Sequence, residues 1–268
     1  MQFIYAFYHL LAATIQSFRT LMWKVALFIG IKKVRIKPFP GFSFTALNKG
    51  FVTQLVYEQQ PLGRFRRSFE YKVFNFISNT LKPGDIAVDI GGNVGVLTLF
   101  MSRLVGSQGH VFTVEASPRN AAILKENIRL NNIENVTLIN HAVSEVPQQV
   151  FMKSPTAVHN DALLIMSEEY SADAEVVDAL PFDQIAKQWG IDKVKMVKID
   201  IEGAEIFFFK GAKAFLQTNK PIIIFESLQV YTKRFNYSVT DVLFLLEEMG
   251  YHLEQIDIET WYAIPSID

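Results

Sequence analysis

Lys198-Ile199-Asp200-Ile201-Glu202-Gly203-Ala204-Glu205 places one cation and three carboxylates at the end of a run, Val194 to Asp200, that otherwise reads as a β-strand. Strand alternation puts Lys198 and Asp200 on one face, which is costly in a sheet covered on both sides unless each finds a partner. Lys198 can meet this need structurally, through a buried ion pair with Asp200 or Glu226 that sets register. Asp200 has a chemical use as well. It ends a central strand, facing the crevice where open α/β sheets bind ligands, and a carboxylate there can take the proton of a hydroxyl. Asp200 and Glu202 are therefore the candidate catalytic bases, with His141, after the third strand, as an alternate. Glu205 begins a helix, where acids are favoured in any case.

A second constellation, Asp89-Ile90-Gly91-Gly92-Asn93-Val94-Gly95, sits where a strand turns into a helix. Glycines there let the backbone approach a ligand closely, and the helix start offers unpaired N–H groups. The spacing is not G-x-G-x-x-G, and the leading Asp89 would repel a pyrophosphate. An acid in that place suits a ligand with a cationic amino-acid moiety, as S-adenosyl-L-methionine has. The next strand ends in Val114-Glu115-Ala116, where an acid can accept two hydrogen bonds from a ribose diol. Alone, such an acid reads equally as a helix cap or a solvated loop residue.

The elements that must position these groups follow from periodicity. The runs Ile86 to Ile90, His110 to Glu115, Val136 to Ala142, Val194 to Asp200 and Ile222 to Glu226 read as strands. Val96 to Leu104, Pro118 to Asn131, Phe182 to Trp189 and Glu205 to Gln217 alternate with them as helices, so repeated βα units and a mostly parallel sheet are expected. Glu70 to Leu81 is a lead-in helix stopped by Pro83-Gly84, and Thr240 to Met249 is a last helix before a hairpin of His252 to Ile256 and Trp261 to Ile264. Strand-like runs at Val34-Arg35-Ile36, Phe42-Ser43-Phe44 and Phe51 to Tyr57 form a small preface. Pro147 to Asp178 is irregular, an inserted loop or ribbon that can shape an acceptor site.

The segments DIGGNVG, VEASPRNAAILKENIRLNN, VKIDIEGAEIFFFKGA and IIIFE together resemble the FkbM family of methyltransferases, over Leu81 to Glu226. The resemblance implies a class I methyltransferase-type Rossmann-like sheet of seven strands, mostly parallel with the last strand inserted antiparallel, and helices on both faces. The methyltransferase domain is expected at 81–268; before it, periodicity places an N-terminal helix at 1–32, which matches nothing in the family, and the preface and lead-in helix at 33–80. Asp89, Gly91, Asn93 and Gly95 match the family's cofactor-binding turn, Glu115 its ribose-binding acid, and Asp200 to Glu205 its acidic block near the acceptor. Gly92, where Ala is usual, Ala142 and Asp200 complete the candidate cofactor-binding set. Leu180-Pro181-Phe182-Asp183 departs from the family's usual Leu-Asp pair. The implied reaction is transfer of a methyl group from S-adenosyl-L-methionine to a hydroxyl of a sugar, glycan or natural product. Asp200, Glu202 and Glu226 have oxygens that suit Mg²⁺ or Ca²⁺, but metal-free transfer is the reading adopted.

Composition narrows the alternatives. Half of the 268 residues are apolar and 23 are Phe, enough for a large core. Lys plus Arg (26) balance Asp plus Glu (27), which disfavours a nucleic-acid partner, as does the lack of an Asn/Asp-Pro-Pro-aromatic motif. With no Cys, thiol chemistry and disulfides are excluded and a cytoplasmic setting fits. Phe3, Ile4, Phe7, Leu11, Ile15, Phe18, Met22, Val25 and Ile29 make one stripe of an amphipathic helix, interrupted by Gln16, Arg19 and Lys24, where a spanning helix needs about 20 apolar residues in a row. That stripe packs on the domain, on a second copy in a homodimer, or on a membrane surface. A nicotinamide-dependent oxidoreductase and a non-catalytic adenosylmethionine-binding protein remain as rival readings.

Overall fold

The computed structural model of the chain describes residues 34–36, 44–46, 69–153, 163–164 and 174–266. The N-terminal helix at 1–32, the run Phe51 to Tyr57 and the middle of the insert lie outside the described residues. Of the preface, β1 (Val34–Ile36) pairs antiparallel with β2 (Phe44–Ala46). The lead-in helix α1 spans Phe69–Thr80. Then come β3 (Ile86–Ile90), α2 (Val96–Val105), β4 (His110–Val114), α3 (Pro118–Leu130) and β5 (Val136–Ile139). Helix α3 starts where the sequence signals it: the Ser117 hydroxyl accepts the Asn120 N–H at 3.3 Å and Pro118 occupies the first turn.

Past β5 the chain leaves the main sheet. β6 (Ala142–Val143), β7 (Gln148–Lys153), β8 (Leu163–Leu164) and β9 (Glu175–Leu180) form a second sheet in the order β6-β9-β7-β8, so the insert is a ribbon. The run Val136 to Ala142 is thus two strands instead of one. Its break falls at Asn140, whose side-chain amide donates to the Glu115 and Ala116 carbonyls at 2.7 and 3.1 Å. The chain then returns through α4 (Phe182–Trp189), β10 (Val194–Ile199), α5 (Glu205–Gly211) and α6 (Lys213–Asn219). The helix expected over Glu205 to Gln217 is two helices. Asp183 of α4 supplies the reason, for its carboxylate accepts the free N–H groups of Ala214 and Phe215 at 3.1 and 2.8 Å and so caps a new helix start. β11 (Ile222–Glu226), the short α7 (Gln229–Thr232), α8 (Val239–Glu248), β12 (Tyr251–Gln255) and β13 (Thr260–Pro265) complete it.

The main sheet has seven strands in the order β12-β13-β11-β10-β3-β4-β5. Only β13 is antiparallel to its neighbours, as the resemblance implies. Alternation along the strands splits the core. Val88, Ile90, Val197, Ile199, Ile223 and Phe225 face α4, α5, α6 and α8, where Phe182, Phe208, Phe209 and Phe215 fill the largest cluster. Ala87, Val111, Met196 and Ile224 face α1 and α2. Asp89 and Lys198 lie on this second face, directly across from each other in the β3–β10 register. From β3 the chain runs outward through β4 and β5, and from β10 it runs the other way, so the order reverses between β3 and β10. Ligands of such sheets bind at that point, beyond the carboxyl ends of the strands. No described helix is long and apolar enough to cross a membrane.

Candidate active site

The Gly-rich turn leaves β3 and presses on the end of β10. Gly91 has φ +83°, and a Cβ added to it would fall 1.9 Å from the Asp200 carbonyl oxygen, so only glycine allows the two motifs to meet. Gly91 and Gly92 donate their N–H groups to the Val114 carbonyl at 2.9 and 3.1 Å, tying the turn to β4. Asn93, in the left-handed region at φ +49°, donates its N–H to Glu115 Oε2 at 2.7 Å, and Ser117 donates to Glu115 Oε1 at 2.9 Å. Burial pushes the Glu115 carboxyl up to about 7, against these two hydrogen bonds. Each oxygen keeps a lone pair for a further donor. Asn93 Oδ1 is buried with no protein partner, an acceptor waiting for a donor.

A cleft open at its mouth lies between these groups. Gly91, Asn93 and Glu115 line it, as do Asp200 and Glu202 from the acidic block. His141 and Ala142 enter from the start of the ribbon and Met152 from β7. Ala204 packs with Val150, Met152, Val177 and Ala179, so the ribbon rests on the acidic block. The lining carries three carboxylates and, among the described residues, no Lys or Arg.

Three expected cofactor contacts lie behind the lining. Asp89 is fully buried; its Oδ2 accepts the Thr98 hydroxyl at 2.6 Å and its Oδ1 faces Lys198 Nζ at 3.6 Å. Its charge is already balanced by a protein cation, so the direct pairing with a cationic ligand expected from the sequence is not what the geometry provides. Gly92 and Gly95 leave room for Thr113 and Leu124, and so serve the packing of the turn against β4 and α3. Lys198 also reaches Asp200 Oδ2 at 3.4 Å. Burial alone would lower the Lys198 pKa; Asp200, Asp89 and Glu226 outweigh it and hold the ammonium above its ordinary range.

The acidic block itself is a tight turn. Glu202 has φ +54° and Gly203 φ +97°, a conformation that costs a non-glycine residue about 1–3 kcal/mol and persists only where its surroundings impose it. Here Arg234 donates to the Glu202 carbonyl at 2.8 Å and the Tyr237 hydroxyl donates to the Gly203 carbonyl. A Cβ on Gly203 would fall 2.7 Å from the Tyr231 backbone. Glu205, 1% exposed, accepts the Gly203 N–H at 2.9 Å and lies 3.2 Å from the Tyr237 hydroxyl. Burial drives its carboxyl up to about 7. Since the phenol gives its single proton to Gly203, a protonated Glu205 best completes the contact.

The structure therefore gathers Gly91, Asn93, Glu115, His141, Ala142, Asp200 and Glu202 around one cleft. Sequence reasoning did not find Thr98, Met152, Arg234 or Tyr237, which come from other segments and carry no motif of their own. Among the described residues, no three acidic or histidine side chains converge as a metal site requires.

The model of one family, the methyltransferase FkbM domain, matches residues 89–253. Among curated proteins, a ubiquinone/menaquinone biosynthesis C-methyltransferase UbiE of Vibrio campbellii is 32% identical over 78 residues, 29% of this chain and 30% of that protein. A ribosomal protein L11 methyltransferase of Caldanaerobacter subterraneus is 33% identical over 63 residues, 24% of this chain and 20% of that one. These matches span less than a third of either relative. A solved structure of methyltransferase FkbM from Methylobacillus flagellatus is 18% identical, with 71% of this chain and 50% of that chain covered and a TM-score of 0.47.

Proposed function

The chain belongs to the FkbM methyltransferase family, and on that premise we propose that it transfers a methyl group from S-adenosylmethionine to a hydroxyl oxygen of a sugar, glycan or natural product. The observation that carries this reading is the meeting of the Gly-rich turn and the acidic block at the switch point of the sheet, with Gly91 pressed on Asp200 and Glu115 beside them. The residues suit the cofactor. Glu115 has acceptor capacity for a ribose diol, and the unpartnered Asn93 Oδ1 suits an ammonium N–H. Three carboxylates and no described cation in the lining favour a ligand with net positive charge over a pyrophosphate.

S-adenosylmethionine, when bound, supplies a methyl group made electrophilic by its sulfonium. The chain's own residues then have two tasks. The turn and Glu115 hold the donor, so that part of the barrier is met by positioning alone. Asp200 or Glu202 accepts a hydrogen bond from the acceptor hydroxyl and takes its proton, which a neutral alcohol must lose to become a useful nucleophile. Both line the cleft, and Asp200 is the more firmly held, with the Lys198 ammonium at 3.4 Å. The ribbon, through Met152 and His141, bounds the space left for the acceptor.

Incubating the protein with methyl-labelled S-adenosylmethionine and a panel of free sugars, glycans and hydroxylated natural products tests the reading. Label on an oxygen of one class supports it. Label on carbon or nitrogen alone, or on none of the panel despite tight cofactor binding, contradicts hydroxyl methylation.

A further inference from the structure

Lys198 is the most buried cation near the cleft, and its partners divide into two kinds. Asp89 is a structural acid, sealed under the turn and hydrogen-bonded to Thr98. Asp200 is a cleft acid, its side chain 35% exposed. Were Lys198 present only to neutralise Asp89, its ammonium would meet that carboxylate alone. It meets two. Nζ lies 3.6 Å from Asp89 Oδ1, which has no hydrogen bond, and donates to Asp200 Oδ2 at 3.4 Å. The register explains how one side chain serves both: Lys198 lies opposite Asp89 on β3, and Asp200 follows two residues on, on the same face.

We infer that Lys198 is a positioning residue for Asp200: its ammonium ties the cleft carboxylate to the strand that carries the Gly-rich turn and holds it aimed at the acceptor. The inference rests on the methyl-transfer reading for what Asp200 does, but the tie between the two side chains stands without it. The charges are consistent. One cation between two carboxylates leaves a net negative charge, and the carboxylate free to show it is the one in the cleft. Glu226, which follows Ile224 and Phe225 on the neighbouring strand, adds a third negative charge acting on the ammonium, while Thr98 and Thr113 are neutral. Lysine suits the task because a compact ammonium on a flexible stem can bridge two acids that differ in depth.

Two NMR measurements test the inference, and neither needs cofactor or acceptor, so a failed methyl-transfer reading would not be confused with a failed tie. The first follows the side-chain ¹⁵Nζ–H signals of lysines at a pH where exposed ammonium groups have exchanged away. In the wild type the Lys198 signal persists; in Asp200→Asn its shift moves and its exchange speeds several-fold. A Lys198 signal unaltered by Asp200→Asn overturns the inference, since the lysine would then serve Asp89 alone. The second uses Asp89→Asn/Lys198→Met, which removes the buried charge and its balance together and so avoids stranding either one. With aspartate ¹³Cγ labelling, the Asp200 resonance, assigned by its loss in Asp200→Asn, shifts and sharpens as the carboxylate is released. A folded double variant whose Asp200 signal matches the wild type overturns the inference. If that variant fails to fold, the first measurement decides alone.

Discussion

Replacing Glu115 with Gln separates a cofactor-binding carboxylate from a merely structural one. In the folded chain, burial raises the Glu115 carboxyl from 4.5 to about 7. A ribose diol donates two hydrogen bonds, which favour the charged form, so binding has to release the proton wherever Glu115 is protonated beforehand. Affinity therefore falls as pH falls through about 7. With a midpoint near 7, the apparent Kd for S-adenosylhomocysteine is about tenfold weaker near pH 6 than near pH 8. Gln cannot carry the charge. It also turns one amide N–H₂ toward a backbone donor, because both oxygens of Glu115 accept N–H groups, from Asn93 at 2.7 Å and Ser117 at 2.9 Å. A lost charge-assisted hydrogen bond of about 1.5–3 kcal/mol weakens binding by about 10- to 100-fold near pH 8. The assay is titration calorimetry across that pH range on wild type and Glu115→Gln. The ligand's own amino group titrates in both and cancels in the ratio. The affinity gap between the two proteins shrinks as pH drops. A constant gap, or no gap, refutes the reasoning.

Other outcomes follow from the same geometry. Glu205 is protonated in the folded chain between 4.5 and about 7, where the unfolded chain has lost its proton. Its contribution is therefore full below 4.5 and lost as pH rises through about 7, a change of roughly 3 kcal/mol at 1.36 kcal/mol per pH unit. Glu205→Gln, a mimic of the neutral acid, should match the wild type in urea unfolding near pH 5 and exceed it near pH 8; a loss of stability at both would contradict a neutral Glu205. Gly91→Ala, with φ +83° and a Cβ 1.9 Å from the Asp200 carbonyl oxygen, should cost about 2–5 kcal/mol of stability and weaken cofactor binding. A near-neutral effect in thermal unfolding would mean that the turn stands clear of β10. Asp183→Ala should cost about 0.5–2 kcal/mol, by stripping the cap from α6, and leave cofactor affinity unchanged by calorimetry.

Much of this arrangement is legible in the sequence because local pattern and global position agree. Ile86–Ile90, Phe182–Trp189 and Ile222–Glu226 fall where periodicity puts them. The Gly-rich turn, Glu115 and the acidic block were found as letters, and the sheet order brings them to one cleft. What was not legible depends on pairings distant in sequence. The β7–β9 ribbon joins Gln148 with Ala179 across a span with no regular alternation. The aim of Lys198 depends on its register with Asp89, since a slip of one residue would put it on the other face. Tyr237 and Arg234 meet the acidic block only because the segment after β11 folds back over it. Asp89 is the instructive case: its type suggested a ligand contact, but the lysine on the neighbouring strand already answers its charge.

What the cleft binds tests the methyl-transfer reading most directly. Titration calorimetry of the unmodified protein with S-adenosylmethionine, S-adenosylhomocysteine and NAD should give saturable, one-to-one binding of the first two and none of the third. Binding of NAD alone, or of none of the three, would contradict it.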